Sequence, residues 1–538
     1  MNDVPGLWLI MSSAYVSSEL AAEFGNIPPA FLPAGTSRLY EYHLSRLGAR
    51  RPAYLTVPEG YDLAVEDRRR LEELGVTLLP IPADLRLGEA VVYAINSLGG
   101  PEQPVRILHG DTLIDDLALD AVDVIALADN SDGYSWAEVD LIGDRVRELE
   151  TVPAGGERAT GRPVAAGYFA FQSAAALVRA ITQARGDFIQ GINRYAQVRP
   201  LHAQRVKSWL DFGHAQTYFR SRRDLTAARS FNTLRIDGRT ARKKSADRAK
   251  MRAEAHWLRS VPPAVQLFAA RILDEGEENG QDYYETEYQY IPTLSELFVF
   301  GAVNRPVWTS IMESCAEFLT ECADARDAGS SKPLLRQLTT DKTISRLETF
   351  ARANGFDIDH PLSFAGRPFP SLTSIATELT SIVDHATERP ATVMHGDFCF
   401  SNILYDSRSR RIKVIDPRGY IGPGAPTIYG DPCYDLAKLA HSIVGRYDHI
   451  IAGRYTMSAN DGYRLSISFE RAPQQEWLEK LFAELVATRT GLARQEVHAV
   501  MIGLFLSMLP LHADRPDRQR AFIANALRLF GMLEGAGA

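Results

Sequence analysis

Two adjacent segments decide the fold of the C-terminal half: Val393-Met-His-Gly-Asp397-Phe-Cys-Phe-Ser-Asn402-Ile-Leu-Tyr and Arg411-Ile-Lys-Val-Ile-Asp416-Pro-Arg-Gly. Asp397 stands five residues before Asn402, and Asp416 ends an apolar run that is typical of a strand. A carboxylate that accepts a hydroxyl proton, an amide that holds a metal ion and a second carboxylate at a strand end are parts that phosphoryl transfer requires. A hairpin with a polar turn would use the same residue types. The combination of both segments favours the catalytic interpretation.

A third segment follows, Gly430-Asp-Pro-Cys-Tyr-Asp435-Leu-Ala-Lys. Together the three segments resemble the aminoglycoside phosphotransferase and choline kinase family, a small-molecule branch of the protein-kinase-like fold. The resemblance covers the chain from about residue 230 to the C-terminus. It implies ATP, Mg²⁺ and transfer to the hydroxyl of a small molecule, with Asp397 as the catalytic base. It also implies Asn402 and Asp416 as metal ligands, and Asp435 as a brace for the catalytic loop.

Residues before these segments supply the expected ATP contacts. A predicted strand contains Lys243 and Lys244, and a predicted helix from 247 to 259 contains Glu254. Kinases hold the ATP phosphates with a strand lysine and fix that lysine with a helix glutamate, roles that Lys243 and Glu254 can take. Because neighbouring strand residues face opposite sides, only one of the two lysines can point at ATP.

An aromatic strand that ends at Pro292 lies where a hinge between two lobes is expected. Backbone groups around Glu287 to Tyr290, with Tyr288 among them, can bind adenine there, although an ordinary aromatic strand explains any single side chain equally well. Helical periodicity dominates after residue 294. We therefore predict a bilobal α+β domain over residues 226–538, with an N-terminal lobe of about 226–292 and a helical lobe of about 293–538.

Residues 1–225 alternate strands with helices. The predicted strands are Leu7–Met11, Ala53–Val57, Thr77–Pro80 and Val105–Leu108. This alternation predicts an α/β domain with a mostly parallel sheet. Functional groups collect at the carboxyl ends of such strands, and Asp111 lies at one of them. A cap or a turn is the alternative role for Asp111. Asp211 is a second carboxylate, and the pair can share one Mg²⁺ that binds a nucleotide's phosphates.

Four segments of this domain resemble the sugar-phosphate nucleotidyltransferases, which are GT-A-like pyrophosphorylases. They are Pro28-Pro-Ala-Phe-Leu-Pro-Ala-Gly-Thr-Ser-Arg-Leu-Tyr, Leu87-Gly-Glu-Ala, Leu108-His-Gly-Asp and Trp209-Leu-Asp-Phe-Gly. The resemblance implies that Gly88 abuts the nucleotide base and that Asp111 and Asp211 hold a metal ion. The nucleotide implied is CTP, UTP or GTP.

The phosphate loop departs from that family. The family has Leu-x-x-Gly-x-Gly-x-Arg after the first strand, whereas this chain has Ile10-Met-Ser-Ser-Ala-Tyr-Val-Ser and no glycine between Met11 and Gly25. Such glycines let backbone amides approach a triphosphate, and the arginine neutralises its charge. Serines such as Ser12 can still offer hydroxyls and amides. Two interpretations remain: nucleotidyl transfer through an altered loop, or binding of a nucleotide, sugar phosphate or partner without transfer.

Composition limits the function classes. The chain has 538 residues, 45% hydrophobic and 23% charged, which is typical of a globular protein of two or more domains. A net charge of -8 argues against nucleic-acid or anionic-membrane binding. The four cysteines form no Cys-x-x-Cys pair, so zinc sites and disulfide frameworks are not predicted. No segment has the length of a membrane span or a signal peptide, and we expect a cytoplasmic protein.

The two resemblances together predict a bifunctional enzyme. A hydroxyl of a sugar, polyol or amino alcohol would be phosphorylated by ATP, and nucleotidyl transfer would then give an activated precursor for a surface polysaccharide or a lipid head group. The alternative is an active kinase whose N-terminal domain only binds or senses a nucleotide or sugar phosphate. The acceptor, the nucleotide and the oligomeric state are left open by the sequence.

Overall fold

The structure is a computed structural model that describes residues 6–48, 52–100, 102–129, 132–156, 161–227, 233–422, 424–460, 462–470, 473–487 and 490–535. The chain divides into two compact units. The first contains Met1–Arg222 with Phe300–Ala302, and the second contains Arg223–Val299 with Val303–Ala538. Among the described helices, none combines the length and the apolar character that crossing a membrane requires.

The first unit alternates strands and helices along most of its length. Its strands are Leu7–Met11 (β1), Pro33–Ala34 (β2), Ser37–Arg38 (β3), Ala53–Pro58 (β4), Val76–Ile81 (β5), Val105–His109 (β6), Thr112–Ile114 (β7), Val124–Ala128 (β8), Trp136–Ile142 (β9), Arg145–Val152 (β10), Val164–Phe171 (β11), His202–Arg205 (β12) and Trp209–Asp211 (β13). Its helices are Ser18–Phe24, Leu39–Leu47, Val65–Glu73, Leu87–Ser97, Ala174–Gln183, Phe188–Val198 and Ala215–Ala227, with a 3-10 turn at Pro29–Phe31.

Nine of these strands form one sheet in the order β5-β4-β1-β6-β11-β8-β12-β10-β9. The prediction of a mostly parallel sheet is not confirmed, because the sheet is mixed. β5, β4, β1 and β6 run parallel, whereas β11 is antiparallel to both β6 and β8. β9 and β10 form an antiparallel hairpin, and β11 also pairs with β9. Within the hairpin, the short turn at Gly143, whose φ is 65°, lets the chain reverse directly without a helical crossover.

The two faces of this sheet bury separate cores. Along β1, Leu7 and Leu9 belong to one apolar cluster, while Trp8 and Ile10 belong to the other. Successive strand residues point to opposite faces, so a strand that is buried on both sides has a continuous apolar sequence. Apolar packing on both faces fixes the position of the end of β6. Asp111 follows this strand end.

The second unit begins with an antiparallel sheet and continues as a mainly helical body. Its strands are Thr233–Ile236 (β14), Thr240–Ser245 (β15), Ile272–Glu278 (β16), Gln281–Glu287 (β17), Arg326–Ser330 (β18), Leu362–Phe364 (β19), Arg367–Phe369 (β20), Pro390–Val393 (β21), Ile403–Asp406 (β22), Arg411–Val414 (β23), Tyr429–Gly430 (β24), Thr456–Asn460 (β25) and Arg464–Ser468 (β26).

Its helices are Arg248–Ser260, Pro263–Gln266, Leu294–Phe300, Arg305–Asp324, Lys332–Arg336, Lys342–Asn354, Leu372–Asp384, Pro432–Ile443, Tyr447–Ile451, Pro473–Phe482, Arg494–Ser507 and Pro516–Gly535. Shorter turns are π-helical at Gln337–Asp341 and Ala483–Ala487, and 3-10 at Phe400–Asn402 and Leu509–His512. The first sheet has the order β14-β15-β17-β16, and the helix Arg248–Ser260 packs against β17. A small sheet with one helix, followed by a helical lobe, is the bilobal kinase-like arrangement that the sequence predicts.

Candidate active sites

A buried ion cluster joins the small lobe of the second unit to the end of β23. The Nζ of Lys243 lies 2.8 Å from Glu254 Oε2 and 3.1 Å from Asp416 Oδ1. The hydroxyl of Tyr284 donates to the same Glu254 oxygen at 2.7 Å and to Asp416 Oδ1 at 3.3 Å. The strand lysine and the helix glutamate therefore meet as the sequence analysis expected, and Asp416 lies in the same cluster.

Strand geometry explains which lysine takes this place. Lys243 is paired across the sheet with Tyr284 and is buried. Lys244 faces the other side and pairs with Glu278, an exposed carboxylate 3.2 Å away. Burial lowers the pKa of Lys243, but the charges of Asp416 and Glu254 outweigh it and leave that pKa above its usual value. Lys243 therefore stays cationic at neutral pH.

The segment after Asp416 is bent closely onto the helix that carries Glu254. Asp416 has a φ of 54°, which is uncommon for a residue with a side chain. At Gly419 a Cβ would lie 2.0 Å from the carbonyl oxygen of Ala253, so only glycine fits there. This close approach is what brings the strand end and the helix glutamate together.

The catalytic-loop candidates form a second cluster. Asn402 donates through Nδ2 to the backbone oxygen of Asp397 at 3.0 Å and to its Oδ2 at 2.9 Å. Lys438 Nζ lies 2.7 Å from Asp397 Oδ1. Burial raises the pKa of Asp397, but the ammonium group of Lys438 more than offsets this and holds the pKa well below its usual range. Asp397 is therefore an ionised, weakly basic carboxylate.

Asp435 holds the backbone of the catalytic loop through hydrogen bonds. Its two carboxylate oxygens accept the backbone N–H groups of His395, at 2.6 Å, and of Gly396, at 2.7 Å. It is almost fully buried, and burial raises its pKa to about 7 despite these two hydrogen bonds. These contacts fit a bracing role, because the carboxylate orders the backbone just before Asp397.

The side-chain oxygen atoms near the two clusters are suitable ligands for a hard divalent cation. The Nδ2 of Asn402 donates within the loop, which leaves its Oδ1 as the candidate ligand atom. The Asp416 side chain is 44% exposed and has its second oxygen, Oδ2, available beside the bonded Oδ1. One amide oxygen and one carboxylate are ligands that Mg²⁺ prefers when it also binds nucleotide phosphates. The residues present therefore fit the predicted metal.

The hinge prediction is only partly compatible with the backbone hydrogen bonds. The N–H of Glu287 donates to the carbonyl of Arg271 at 3.0 Å, and the N–H of Tyr288 donates to the carbonyl of Arg239 at 2.8 Å. Both amides are therefore used within the small lobe. An adenine ring would need its N–H donor from a later residue of the hinge, such as Tyr290.

Sequence reasoning gave no role to two residues of these clusters. Lys438 comes three residues after Asp435, so both lie on one face of the helix Pro432–Ile443, and this spacing was an available signal. Tyr284 is directly opposite Lys243 on the neighbouring strand, a relation that no spacing in the sequence reveals.

The first unit contains a cavity at the carboxyl end of β6. Its volume is about 440 Å³, and its walls include Gly88, Asp111, Trp136, Trp209 and Asp211. Asp111 follows β6, whereas Asp211 ends β13, which pairs with β7. The pairing of β7 with β13 thus brings two carboxylates together that lie 100 residues apart in the sequence.

The two carboxylates share one small space. A Cβ placed on Gly213 would lie 2.8 Å from Asp111 Oδ2 and 3.5 Å from Asp211 Oδ1. Burial and the negative charge of Asp211 raise the pKa of Asp111 to about 7. His214 Nδ1 is 3.6 Å from Asp211 Oδ2, and the proximity of that carboxylate raises the histidine pKa. Two acidic groups that repel each other across a cavity fit a divalent cation.

Gly88 lines this cavity, but its lack of a side chain has a local cause. A Cβ there would lie 2.4 Å from the carbonyl oxygen of Gly186 and 3.0 Å from the nitrogen of Phe188. The start of the helix Leu87–Ser97 therefore packs directly on another backbone segment of the same unit. This contact explains the glycine without a nucleotide base.

Ser12, which lies in the altered phosphate loop, forms hydrogen bonds within the protein. Ser12 is buried, its N–H donates to Thr56 Oγ1 at 2.7 Å, and its hydroxyl accepts the N–H of Ala30 at 2.9 Å. The amide of Ser12 is therefore already used as a donor within the fold, and its hydroxyl oxygen is used as an acceptor. Both groups have protein partners.

One family model and several solved structures are similar to parts of this chain. Residues 215–465 match the family model "Phosphotransferase enzyme family". Curated protein sequences gave no match. Among solved structures, a UTP-bound UGPase from Acinetobacter baumannii is 14% identical, with 42% of this chain and 95% of that chain covered and a TM-score of 0.32.

Two kinases are also among the similar solved structures. A thermostable mutant of aminoglycoside phosphotransferase APH(4)-Ia is 16% identical, with 56% of this chain and 90% of that chain covered and a TM-score of 0.35. A glucosamine kinase in complex with glucosamine, ADP and inorganic phosphate is 12% identical, with 74% of this chain and 93% of that chain covered and a TM-score of 0.36.

Proposed function

We propose that the second unit transfers the γ-phosphoryl group of ATP to a hydroxyl of a sugar, polyol or amino alcohol, and the match of residues 215–465 to the phosphotransferase family model supports this proposal. The observation that carries the proposal is the position of Lys243, whose Nζ lies between Glu254 and Asp416. A lysine fixed by two carboxylates is already oriented, so binding ATP phosphates costs little reorganisation.

Each residue has one task in this reaction. Lys243 neutralises the phosphates, and Glu254 holds it in place. A Mg²⁺ ion held by Asn402 and Asp416 would supply further positive charge to the phosphates. Asp397 orients the acceptor hydroxyl and takes its proton while the new O–P bond forms, the bond to the γ-phosphorus breaks and ADP leaves. Because the pKa of Asp397 lies below its usual range, orientation dominates and the proton moves late.

The test is ATP consumption by the purified full chain with a panel of sugars, polyols and amino alcohols. We expect Asp397→Ala to lower kcat by about 10² to 10⁴-fold, the range for loss of a positioned acid–base group. Asp359→Asn is a matched control, because Asp359 is an exposed aspartate of the same unit. Turnover that survives Asp397→Ala unchanged would refute the assignment.

For the first unit we propose nucleotide binding through a divalent cation on Asp111 and Asp211, followed by nucleotidyl transfer from CTP, UTP or GTP to the phosphorylated product. The cavity and the paired carboxylates favour this function. The joint product would be an activated precursor of a surface polysaccharide or lipid head group. The bonded amide and hydroxyl of Ser12 favour the alternative, a unit that binds a nucleotide or sugar phosphate without transfer.

Pyrophosphate release distinguishes these alternatives. Each nucleoside triphosphate is incubated with the full chain, Mg²⁺ and the phosphorylated product of the kinase reaction. Release that Asp111→Asn abolishes, and that the exposed control Asp129→Asn retains, supports transfer. Saturable nucleotide binding without release supports the binding alternative, and the absence of both rejects a nucleotide site at Asp111.

A further inference from the structure

Several basic side chains lie near Asp397. Binding of ATP in the proposed reaction does not require them. Besides Lys438, which pairs with Asp397, the group contains Lys342, Arg346 and Arg418. The ATP phosphates already have counter-charges in Lys243 and in a metal held by Asn402 and Asp416. The other three cations are therefore extra to the ATP-binding set.

Arg418 is held rigidly beside the catalytic loop. Its Nε donates to the carbonyl oxygen of Gly396 at 3.1 Å, and its Nη2 donates to the hydroxyl of Tyr434 at 3.2 Å. Its guanidinium lies over the rings of Tyr434, at 5.4 Å, and Tyr420, at 5.5 Å from the ring centroids. These partners are neutral, so they orient the guanidinium but leave its charge available to a ligand.

Lys342 and Arg346 approach from the helix Lys342–Asn354. They stand four residues apart and so lie on one face of this helix. Arg346 Nη1 donates to the carbonyl of Ser507 at 2.9 Å, which anchors that face against the helix Arg494–Ser507. The chain that follows Arg418 passes the turn just before this helix, because a Cβ on Gly422 would lie 3.7 Å from Gln337 Oε1.

Asp397 and Asp435 act on the charge of Arg418. Among the described residues, in contrast, no carboxylate lies within ion-pair distance of Lys342 or Arg346. Burial and the charges of Arg418, Arg346 and Lys438 lower the pKa of Lys342 to about 6, with Asp397 as the acidic group that opposes the shift. Half-buried cations that repel one another are costly unless an anion joins them.

We infer that the acceptor of the phosphoryl group is itself an anion, a hydroxylated small molecule whose phosphate or carboxylate binds Lys342, Arg346 and Arg418 beside Asp397. This inference rests on the proposed kinase function and narrows its substrate class. A cationic amino alcohol or aminoglycoside would be repelled by the guanidinium groups of Arg346 and Arg418. An anionic acceptor instead replaces their mutual repulsion with charge-assisted hydrogen bonds.

The test measures anion binding to the full chain saturated with Mg²⁺ and a non-hydrolysable ATP analogue, so that the γ-phosphate position is filled. Inorganic sulfate and acetate are titrated separately at constant ionic strength by calorimetry. We expect saturable sulfate binding that weakens by roughly 10-fold or more in Lys342→Met and in Arg346→Met, as loss of a charged hydrogen bond predicts. Arg352→Met, on an exposed position of the same helix, is the control and should not change it.

Proton uptake provides a readout that a purely structural defect would not mimic. Burial and the neighbouring cations lower the pKa of Lys342 to about 6, so an anion that binds there should raise this pKa and cause proton uptake, and the heat should depend on the ionisation enthalpy of the buffer. This dependence should disappear in Lys342→Met. Comparable acetate binding indicates a carboxylate acceptor, whereas binding of sulfate alone indicates a phosphate ester.

The possible failures are distinguishable. If the ATP analogue does not bind, the proposed kinase function fails. If the analogue binds but sulfate does not saturate, or if sulfate binds equally well to Lys342→Met and Arg346→Met, the anionic acceptor is refuted while the kinase function stands.

Discussion

The carboxylates of the two candidate sites differ in their charge compensation. In the second unit, Lys243 lies within 3.1 Å of both Glu254 and Asp416, and Lys438 lies 2.7 Å from Asp397. In the first unit, Asp111 and Asp211 face one cavity together. Among the described residues, the counter-charge nearest to that pair is His214, 3.6 Å from Asp211.

This difference separates a site whose charges are compensated within the chain from one whose carboxylates repel each other. Paired charges in the second unit compensate the cost of burying each other, so the geometry exists before ATP arrives. Burial and the like charge of Asp211 raise the pKa of Asp111 to about 7, so this pair lacks the charge compensation that the second unit provides. Removing a charge should therefore have opposite effects on stability in the two units.

The largest effect is expected from Lys243→Met. The substitution keeps the aliphatic stem but leaves Glu254 and Asp416 as buried or half-buried neighbours of like charge. We expect the free energy of unfolding to fall by about 3 kcal/mol, as when one partner of a buried ion pair is removed. Urea unfolding measures the change, and ATP binding should be lost in parallel.

Lys244→Met is the matched control for that experiment. Lys244 is the next residue on the same strand, but it pairs with an exposed carboxylate, Glu278. An exposed pair contributes about 0 to 1 kcal/mol. Equal losses of unfolding free energy in the two variants would show that the buried Lys243 cluster contributes no more than an exposed ion pair.

The same contrast shows what the sequence can predict. Asp397 and Asn402 meet because they belong to one short loop, so their spacing alone predicts the contact. Lys243 and Glu254 were paired by combining strand alternation with the chemical need for a fixed lysine. Lys342 and Arg346 were not identified, because they approach Asp397 from a distant helix and only packing against the helix Arg494–Ser507 sets their position.

The sheet of the first unit shows a similar limit. The strands β1, β4, β5 and β6 are short apolar runs between helices, and the sequence predicted all four. The antiparallel strands β9 and β10 carry more polar residues, and a register shift between Val146 and Glu148 interrupts their alternation. The Gly143-Asp144 pair between them was the available hairpin signal. Alternation that is broken by a bulge does not specify which face is buried.

A smaller effect on stability, and a gain instead of a loss, is expected from Asp111→Asn. A carboxyl group whose pKa rises from 3.8 to about 7 on folding binds its proton more tightly in the folded state. The metal-free protein therefore loses stability from this group as pH rises from about 4 to 7. Asp111→Asn removes that loss, and since Asp111 is half-buried and solvent screens part of the repulsion, we expect a gain of about 1 kcal/mol at pH 8.

Urea unfolding of the metal-free chain at pH 5 and pH 8 measures this gain, which should be smaller at pH 5. Mg²⁺ should stabilise the parent protein at pH 8 and should stabilise Asp111→Asn less, because a cation removes the repulsion only where both carboxylates are present. A loss of stability in Asp111→Asn at pH 8 would mean that Asp111 forms a favourable contact within the fold. The carboxylates of the first unit would then be structural, like the bracing Asp435 of the second, and the contrast between the two sites would disappear.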